Sequence, residues 1–408
     1  LGDVYKRQGG RAAGAKSYSK CFTANREVVE SQAGRAAVRA AIEQTVEGEE
    51  WASLDHGDRW VAVKEAIRVT LMQEAQQRAR RLRGAKTAAD QVLQALQHMT
   101  RPRTPMEQRQ WKAAMETVRN AAMRRGRGAL TRCKCRWLAE GERCTSYFLR
   151  LERSRRAPPG ELAVKVGNKV VRSRGGVARA MRKVWREVFT EPPRSAQESR
   201  ASSAMGSKFL GYWRKQIPGP MRREVNAAIT LEEAGKAVRK LRSAASPGPD
   251  GLPASVLKLH WNLLGEIWLE MVKEGIARGR LHVKVVEGKM VMLPKGEGME
   301  VRSPGQHRPI TLLNADYKLL AAILTARLNR VTGRLVHKNQ TGFVRGRYIG
   351  DNVILLRDYL EWCRGRQLDR GVVFCDFAKA YDRVRWEWLW RVLDHVGLGE
   401  GFSAMVQA

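Results

Sequence analysis

The segment that most restricts the fold is Gly371-Val372-Val373-Phe374-Cys375-Asp376-Phe377. It is short, β-branched and almost wholly apolar, with no polar alternation. That pattern predicts a central strand buried on both faces. Helical stripes flank it. Leu320, Ile323, Leu324, Leu328 and Val331 precede it, and Trp386, Leu389, Trp390, Leu393 and Val396 follow. Strands and helices alternate irregularly here, so the fold class predicted for this half is α+β. Asp376 is the only acid of the run and sits near its C-terminal end. A buried carboxylate must be paired, hydrogen-bonded or bound to a cation. Capping of the next turn is the plain alternative for Asp376, and N-capping is the plain reading of Asp382.

The region after Asn226 has the composition of a compact domain. Thr230-Leu231-Glu232-Glu233 is a capping box that opens a helix to Arg242. Ser246-Pro247-Gly248-Pro249-Asp250-Gly251 predicts a rigid turn. Pro253 suits the first turn of a helix carrying Val256, Leu257, Trp261, Leu264, Trp268 and Met271. Val285 to Leu293 predicts a strand pair turning at Glu287-Gly288. Asn314 is expected to cap a helix ended by Gly333, and Asp351 to cap another through Leu360. Residues 157–226 are expected to be a connector. Within it, Val164, Val166, Val170 and Val171 predict a hairpin around Gly167-Asn168, and Glu191 to Ser207 predicts a flexible loop.

Residues 28–156 read as a basic, mostly helical linker. Trp60, Val63, Ile67 and Leu71 fall at helical spacing. Arg78, Arg80, Arg81 and Arg83 follow, and Pro102 and Pro105 break the pattern before a helix with Trp111, Met115 and Val118. Composition bears on this region. Lys and Arg number 75 against 41 Asp and Glu, a net charge of +34, which favours a polyanionic partner such as nucleic acid. A hydrophobic share of 43% excludes a wholly disordered basic tail. Arg124, Arg125, Arg127, Arg132, Lys134 and Arg136 precede Trp137, and Tyr147-Phe148 precedes Arg153, Arg155 and Arg156. Guanidinium groups interleaved with aromatics suit a phosphate backbone with stacked bases. A solvated helical face is the bland alternative. Cys133, Cys135 and Cys144 have no fourth ligand nearby, so a tetrahedral zinc site is not expected.

Six Cys in 408 residues do not make a disulfide framework, which favours a reducing compartment. No apolar run is long enough to span a bilayer, and no membrane partner is expected. The chain begins at Leu1 and stops at Ala408 without a terminating signal, so it reads as a fragment of a longer reading frame. Residues 1–27 are expected to be unstructured or a remnant.

Phe374-Cys375-Asp376-Phe377-Ala378-Lys379-Ala380-Tyr381-Asp382-Arg383-Val384 resembles motif A of the reverse transcriptases of non-LTR (LINE-type) retrotransposons. Further blocks agree in order. Ser246 to Gly251 resembles the turn that opens that domain. Leu293-Pro294-Lys295 and His307-Arg308-Pro309-Ile310-Thr311-Leu312-Leu313-Asn314 resemble the fingers motifs. Gln340-Thr341-Gly342-Phe343, with Gly346-Arg347 and Asp351-Asn352, resembles the next block. Arg136 to Glu142 and Thr145 to Phe148 resemble the linker ahead of the polymerase. A group II intron-type enzyme would share Gly342-Phe343 and Arg347, but the long helical linker and the block from Trp137 to Phe148 argue against it.

The resemblance implies a right-hand polymerase whose fingers and first part of the palm occupy residues 227–408, truncated before the Asp-Asp hairpin and thumb. It implies an RNA-directed DNA polymerase with RNA template, DNA primer or target, and deoxynucleoside triphosphates as partners. Two Mg²⁺ ions would be held by Asp376 and the Phe377 carbonyl together with acids beyond this chain. Lys295 and Arg308 would grip the incoming triphosphate, and Tyr381 would exclude a 2′-hydroxyl. Gln340, Gly342 and Arg347 would lie near template and primer. Arg124, Arg125, Arg132, Lys134, Arg136 and Arg153 would bind nucleic acid through the linker. The location implied is the nucleus or a cytoplasmic ribonucleoprotein; oligomeric state is open. The chain departs from the family at His307, where Trp is usual, at Ala378, where Glu is usual, and at Tyr381, where Phe is common. The competing reading is a noncatalytic nucleic-acid-binding remnant of a decayed or host-adopted element.

Overall fold

The computed structural model describes residues 22–98, 102–133, 163–190, 194–243, 245–295 and 301–408. Helices α1 (Arg26–Val29), α2 (Gln32–Val46), α3 (His56–Gln97) and α4 (Pro105–Cys133) come first, then strands β1 (Val164–Val166) and β2 (Lys169–Val171). Next are α5 (Arg174–Phe189), α6 (Ala196–Tyr212), α7 (Gly219–Asn226), α8 (Leu231–Lys240), α9 (Ala254–Leu259), α10 (Trp261–Ala277) and α11 (Val283–Val286). Strands β3 (Gly288–Pro294) and β4 (His307–Leu313) lead into α12 (Ala315–Leu335), α13 (Gly350–Gly365), α14 (Trp386–His395) and α15 (Glu400–Gln407). The described residues are mostly helical with two two-stranded sheets, an α+β composition.

The chain divides into two compact units. The first comprises Leu1–Ala41, Ala66–Met181 and Met290–Thr311. In it β1 and β2 pair antiparallel, Val164 opposite Val171 and Val166 opposite Lys169, around the predicted Gly167-Asn168 turn. The Lys165 N–H donates to the Arg302 carbonyl at 3.0 Å. The Lys295 N–H donates to the Gln306 carbonyl at 2.9 Å, so the end of β3 meets the start of β4.

The second unit comprises Ile42–Glu65, Arg182–Lys289 and Leu312–Ala408, and α12 is its hub. This helix contacts α7, α8, α9, α11 and α15, while α8 also packs on α10. Leu319, Ile323 and Val331 of α12 are fully buried, as are Leu264, Trp268 and Met271 of α10. Each such side chain contributes roughly 1.5–3 kcal/mol by leaving water. Arg327 is buried in the same core. It forks onto Glu233 at 2.9 and 2.6 Å and donates to the carbonyls of Val225, Ala227 and Ala228. Those carbonyls lie at and beyond the end of α7, where helical bonding leaves acceptors without partners.

Several expectations are corrected. Gly371 to Phe377 is not a buried strand: it is irregular and exposed, with Val373 86% and Phe374 83% accessible. Among the described residues the only strand partners are β1 with β2 and β3 with β4, so this run has no ladder to join. An unpaired backbone takes its hydrogen bonds from water. The expected loop from Glu191 to Ser207 is largely helix α6. Ser195 and Glu198 form a reciprocal capping box at its start, and the small residues after it offer no breaker. The predicted strand pair around Glu287-Gly288 is instead the turn α11 followed by β3, which pairs with β4. Helix α12 runs through Gly333 to Leu335, and Asp351 stands inside the first turn of α13 rather than at its cap.

Candidate functional site

Two blocks distant in sequence meet in the second unit. The Asp250 N–H donates to Asn314 Oδ1 at 3.2 Å, and Lys318 Nζ donates to the Ser246 carbonyl at 3.0 Å. The turn Ser246 to Gly251 is thereby fixed to the entry of α12. Asn314, the N-cap residue of α12, makes no capping bond with its side chain. Its amide instead donates to the Lys284 carbonyl at 2.9 Å. A Cβ on Gly248 would collide with the Asn314 backbone nitrogen and amide oxygen, so the close approach requires glycine. Gly251 closes the turn at φ +74°.

A buried ionic cluster holds this junction. Lys64 Nζ lies 2.7 Å from Asp316 Oδ2 and 3.4 Å from Asp250 Oδ2, and Trp60 Nε1 donates to Asp316 Oδ2 at 2.7 Å. Burial alone would lower the Lys64 ammonium. The two carboxylates outweigh it, and the net shift is upward. Burial raises the Asp250 carboxyl despite the pull of Lys64. Lys64 and Asp316 carried no signal in the sequence, because their partnership spans 252 residues.

Asp376 and Phe377 lie in the exposed segment before α14, with Phe377 80% accessible. Tyr381 is 78% exposed and meets the edge of Phe343 at 6.2 Å between centroids. Phe343 itself stands at φ +61°, an uncommon conformation for a bulky residue. The loop before it is stitched. Gln340 Nε2 donates to the Gly342 carbonyl at 3.1 Å. Arg347 donates to the carbonyls of His337, Gln340 and Gly333. Asn352 donates to the Asn339 carbonyl and to Thr341 Oγ1, both at 3.0 Å. Gln340, Gly342, Arg347, Asp376, Phe377 and Tyr381 thus share one unit, and Phe343 and Tyr381 bring their two blocks into contact.

Lys295 and Arg308 belong to the first unit, at the end of β3 and the start of β4, and both side chains are exposed. His307 is buried and its Nδ1 lies 2.9 Å from the Ser303 carbonyl, so a hydrogen bond anchors it where the family usually carries Trp. Arg124 is exposed on α4. The side chains of Arg125, Arg132 and Cys133, with Lys134, Arg136, Arg153, Cys135, Cys144 and the aromatic block from Trp137 to Phe148, lie outside what the structure describes.

Among the described residues no three His, Cys, Asp or Glu side chains converge on a metal position. The Asp376 carboxylate and the Phe377 carbonyl are hard oxygen donors of the kind that suits Mg²⁺. No described helix is long and apolar enough to cross a membrane.

Residues 293–406 match the family described as reverse transcriptase (RNA-dependent DNA polymerase). The chain is 29% identical over 289 residues to the uncharacterized 149 kDa protein of transposon TX1 from Xenopus laevis, covering 70% of this chain and 21% of that protein. It is 29% identical over 175 residues to the retrovirus-related Pol polyprotein from type-1 retrotransposable element R2 of Popillia japonica, covering 43% and 23%. With the putative 115 kDa protein of element R1DM from Drosophila melanogaster it shares 28% over 178 residues, covering 44% and 17%. The chain spans less than a quarter of the length of each of these relatives.

Proposed function

We infer, from the premise that residues 293–406 are part of a reverse transcriptase of the non-LTR (LINE) type, that this chain supplies the fingers and the first part of the palm to an RNA-directed DNA polymerase. What supports the reading is the family match over residues 293–406 together with the junction of Ser246–Gly251 and Asn314, a turn that resembles that family in sequence hydrogen-bonded to a residue inside the match. The substrates proposed are an RNA template, a DNA primer or target and deoxynucleoside triphosphates, and the proposed location is the nucleus.

Asp376 and the Phe377 carbonyl would hold Mg²⁺. When bound, that ion supplies charge stabilisation for nucleotidyl transfer. The other roles rest on this chain's side chains. Exposed Lys295 and Arg308 would bind the triphosphate, one as a point charge and one as a planar fork of donors. Exposed Tyr381 would stand beside the sugar and reject a 2′-hydroxyl by clash. The loop stitched by Arg347 and Asn352 would present Gln340 and Gly342 to template and primer without losing its shape.

Primer extension by the longer protein that contains this chain tests the reading. Asp376→Asn keeps the shape and removes the charge, and is expected to abolish extension while RNA binding persists. Extension at the parental rate in Asp376→Asn would overturn the assignment. Binding without extension in the parent itself would leave the noncatalytic reading.

A further inference from the structure

A basic cleft of about 630 Å³ opens in the second unit beside the exposed segment 371–384. Its lining includes Arg194, Arg383, Arg385 and Arg391, and Glu387 is the one carboxylate among the lining residues. Ser199, Ser202 and Ser203 of α6 add hydroxyls. Side-chain contacts tie its two helical walls together. Arg391 donates to Ser207 Oγ at 2.8 Å and to the Ser203 carbonyl at 3.3 Å, and its guanidinium lies over the Trp388 ring. Trp388 in turn meets Phe209 of α6 edge-on at 6.0 Å. These contacts join α6 to α14 and hold the Arg391 guanidinium in the wall, so that group needs little further ordering to receive a ligand.

We propose that this cleft binds the phosphodiester backbone of a nucleic acid, independently of base sequence. Guanidinium forks and serine hydroxyls are the donors that phosphate oxygens accept from. The residues before and after the catalytic-type block supply the charge: Arg383 and Arg385 follow Asp376 by seven and nine positions, and Arg194 immediately precedes the cap of α6. Among the lining residues arginines outnumber carboxylates four to one, which favours an anionic ligand over a cationic one. A polynucleotide suits the strongly basic chain as a whole. The proposal stands on the cleft's charge and walls and does not need polymerase activity.

The test uses the whole chain and two labelled probes, a 20-nucleotide oligouridine RNA and a 20-nucleotide oligothymidine DNA. Fluorescence anisotropy is followed between 50 and 300 mM KCl. Arg383→Gln/Arg385→Gln removes two phosphate contacts and is expected to reduce the slope of log K against log salt by about 1.4. The corresponding loss of affinity is about 10- to 30-fold near 0.1 M salt. Arg383→Gln alone, at an exposed position, is expected to remove about half of that slope change with an unaltered melting temperature. Arg383→Lys/Arg385→Lys keeps the charge and is expected to keep most of the slope. Arg222→Gln/Arg223→Gln on α7 removes the same charge outside the cleft and is expected to leave the slope nearly unchanged. A slope reduced for RNA alone, DNA alone or both supports the cleft and identifies the acid it holds. An unchanged slope in the Arg383 and Arg385 variants overturns the proposal. So does an equal loss in the α7 variant, since the effect would then be net charge alone. Loss of extension with the slope intact bears on the polymerase reading and not on this one.

Discussion

Lys64 is the side chain on which the Ser246–Gly251 turn depends most. It pairs with Asp316 and, at a longer distance, with Asp250 in a largely buried site, and Trp60 also donates to Asp316. Lys64→Met is expected to lower the stability of the second unit by about 3–5 kcal/mol in urea, because two carboxylates would remain buried without a cation. Adding Asp316→Asn is expected to recover part of that loss; a double variant no better than the single would deny the pairing. The pH dependence has a definite sign. The folded-state pKa of Lys64 is raised, so its stabilisation is fully present below the unfolded value near 10.4 and disappears as pH climbs through the folded value. Asp250 is also raised, so protonating it favours the folded chain and it does not drive acid unfolding. Tyr381 is the opposite kind of residue. Its ring is exposed in this chain apart from an edge contact with Phe343, so packing within this chain contributes little to holding it. Tyr381→Val is expected to leave the melting temperature within the range of ordinary surface changes while raising ribonucleotide use relative to deoxynucleotide use in the longer protein. An unchanged ratio in a competition on one primer would reject the role.

At the scale of elements, local signals decided most of what was legible. Trp60, Val63, Ile67 and Leu71 do form a buried stripe on α3, Thr230 does cap α8 by accepting from the Glu233 N–H, and Gly167-Asn168 does turn a hairpin. These features need only the residues within one turn of each other. The misread elements needed tertiary partners instead. Residues 371–377 have strand composition, but composition does not supply a neighbouring strand. The stretch before Ser207 looked like loop because Ser and Arg are abundant there, yet Ser195 and Glu198 start a helix that α14 then covers. The candidate site divides the same way. Its blocks were readable as ordered motifs, whereas Lys64, Asp316 and the arginine cleft assemble from segments far apart in sequence. The α6 cap gives a direct check. Ser195→Ala is expected to destabilise α6 by about 1 kcal/mol. Since α6 forms one wall of the basic cleft, the same variant is expected to weaken RNA binding slightly. Full retention of α6 protection in hydrogen exchange would contradict the capping argument.

The whole molecule carries +34 charges, and their chemistry makes a prediction that no single element makes. Arg80, Arg81 and Arg83 are exposed along α3, whereas neighbouring Arg78 is paired with Glu27 at 2.9 Å. An exposed arginine row on a helix 42 residues long can be a solvated face or a track for phosphates. The two readings differ in their response to salt. A track releases counterions, so log K for a single-stranded RNA falls linearly with log salt, by about 0.7 for each phosphate neutralised. Arg80→Gln/Arg81→Gln/Arg83→Gln is then expected to reduce that slope by about 2, while an Arg78→Gln variant, which breaks an existing ion pair, changes it less. The charge is borne by guanidinium and ammonium groups that stay protonated well above neutrality, so binding is expected to be flat between pH 6 and 9. A midpoint near pH 6.5 would point instead to the histidines. A slope in the triple variant equal to the parent's would assign the α3 arginines to the solvated face and leave nucleic-acid affinity to the rest of the chain.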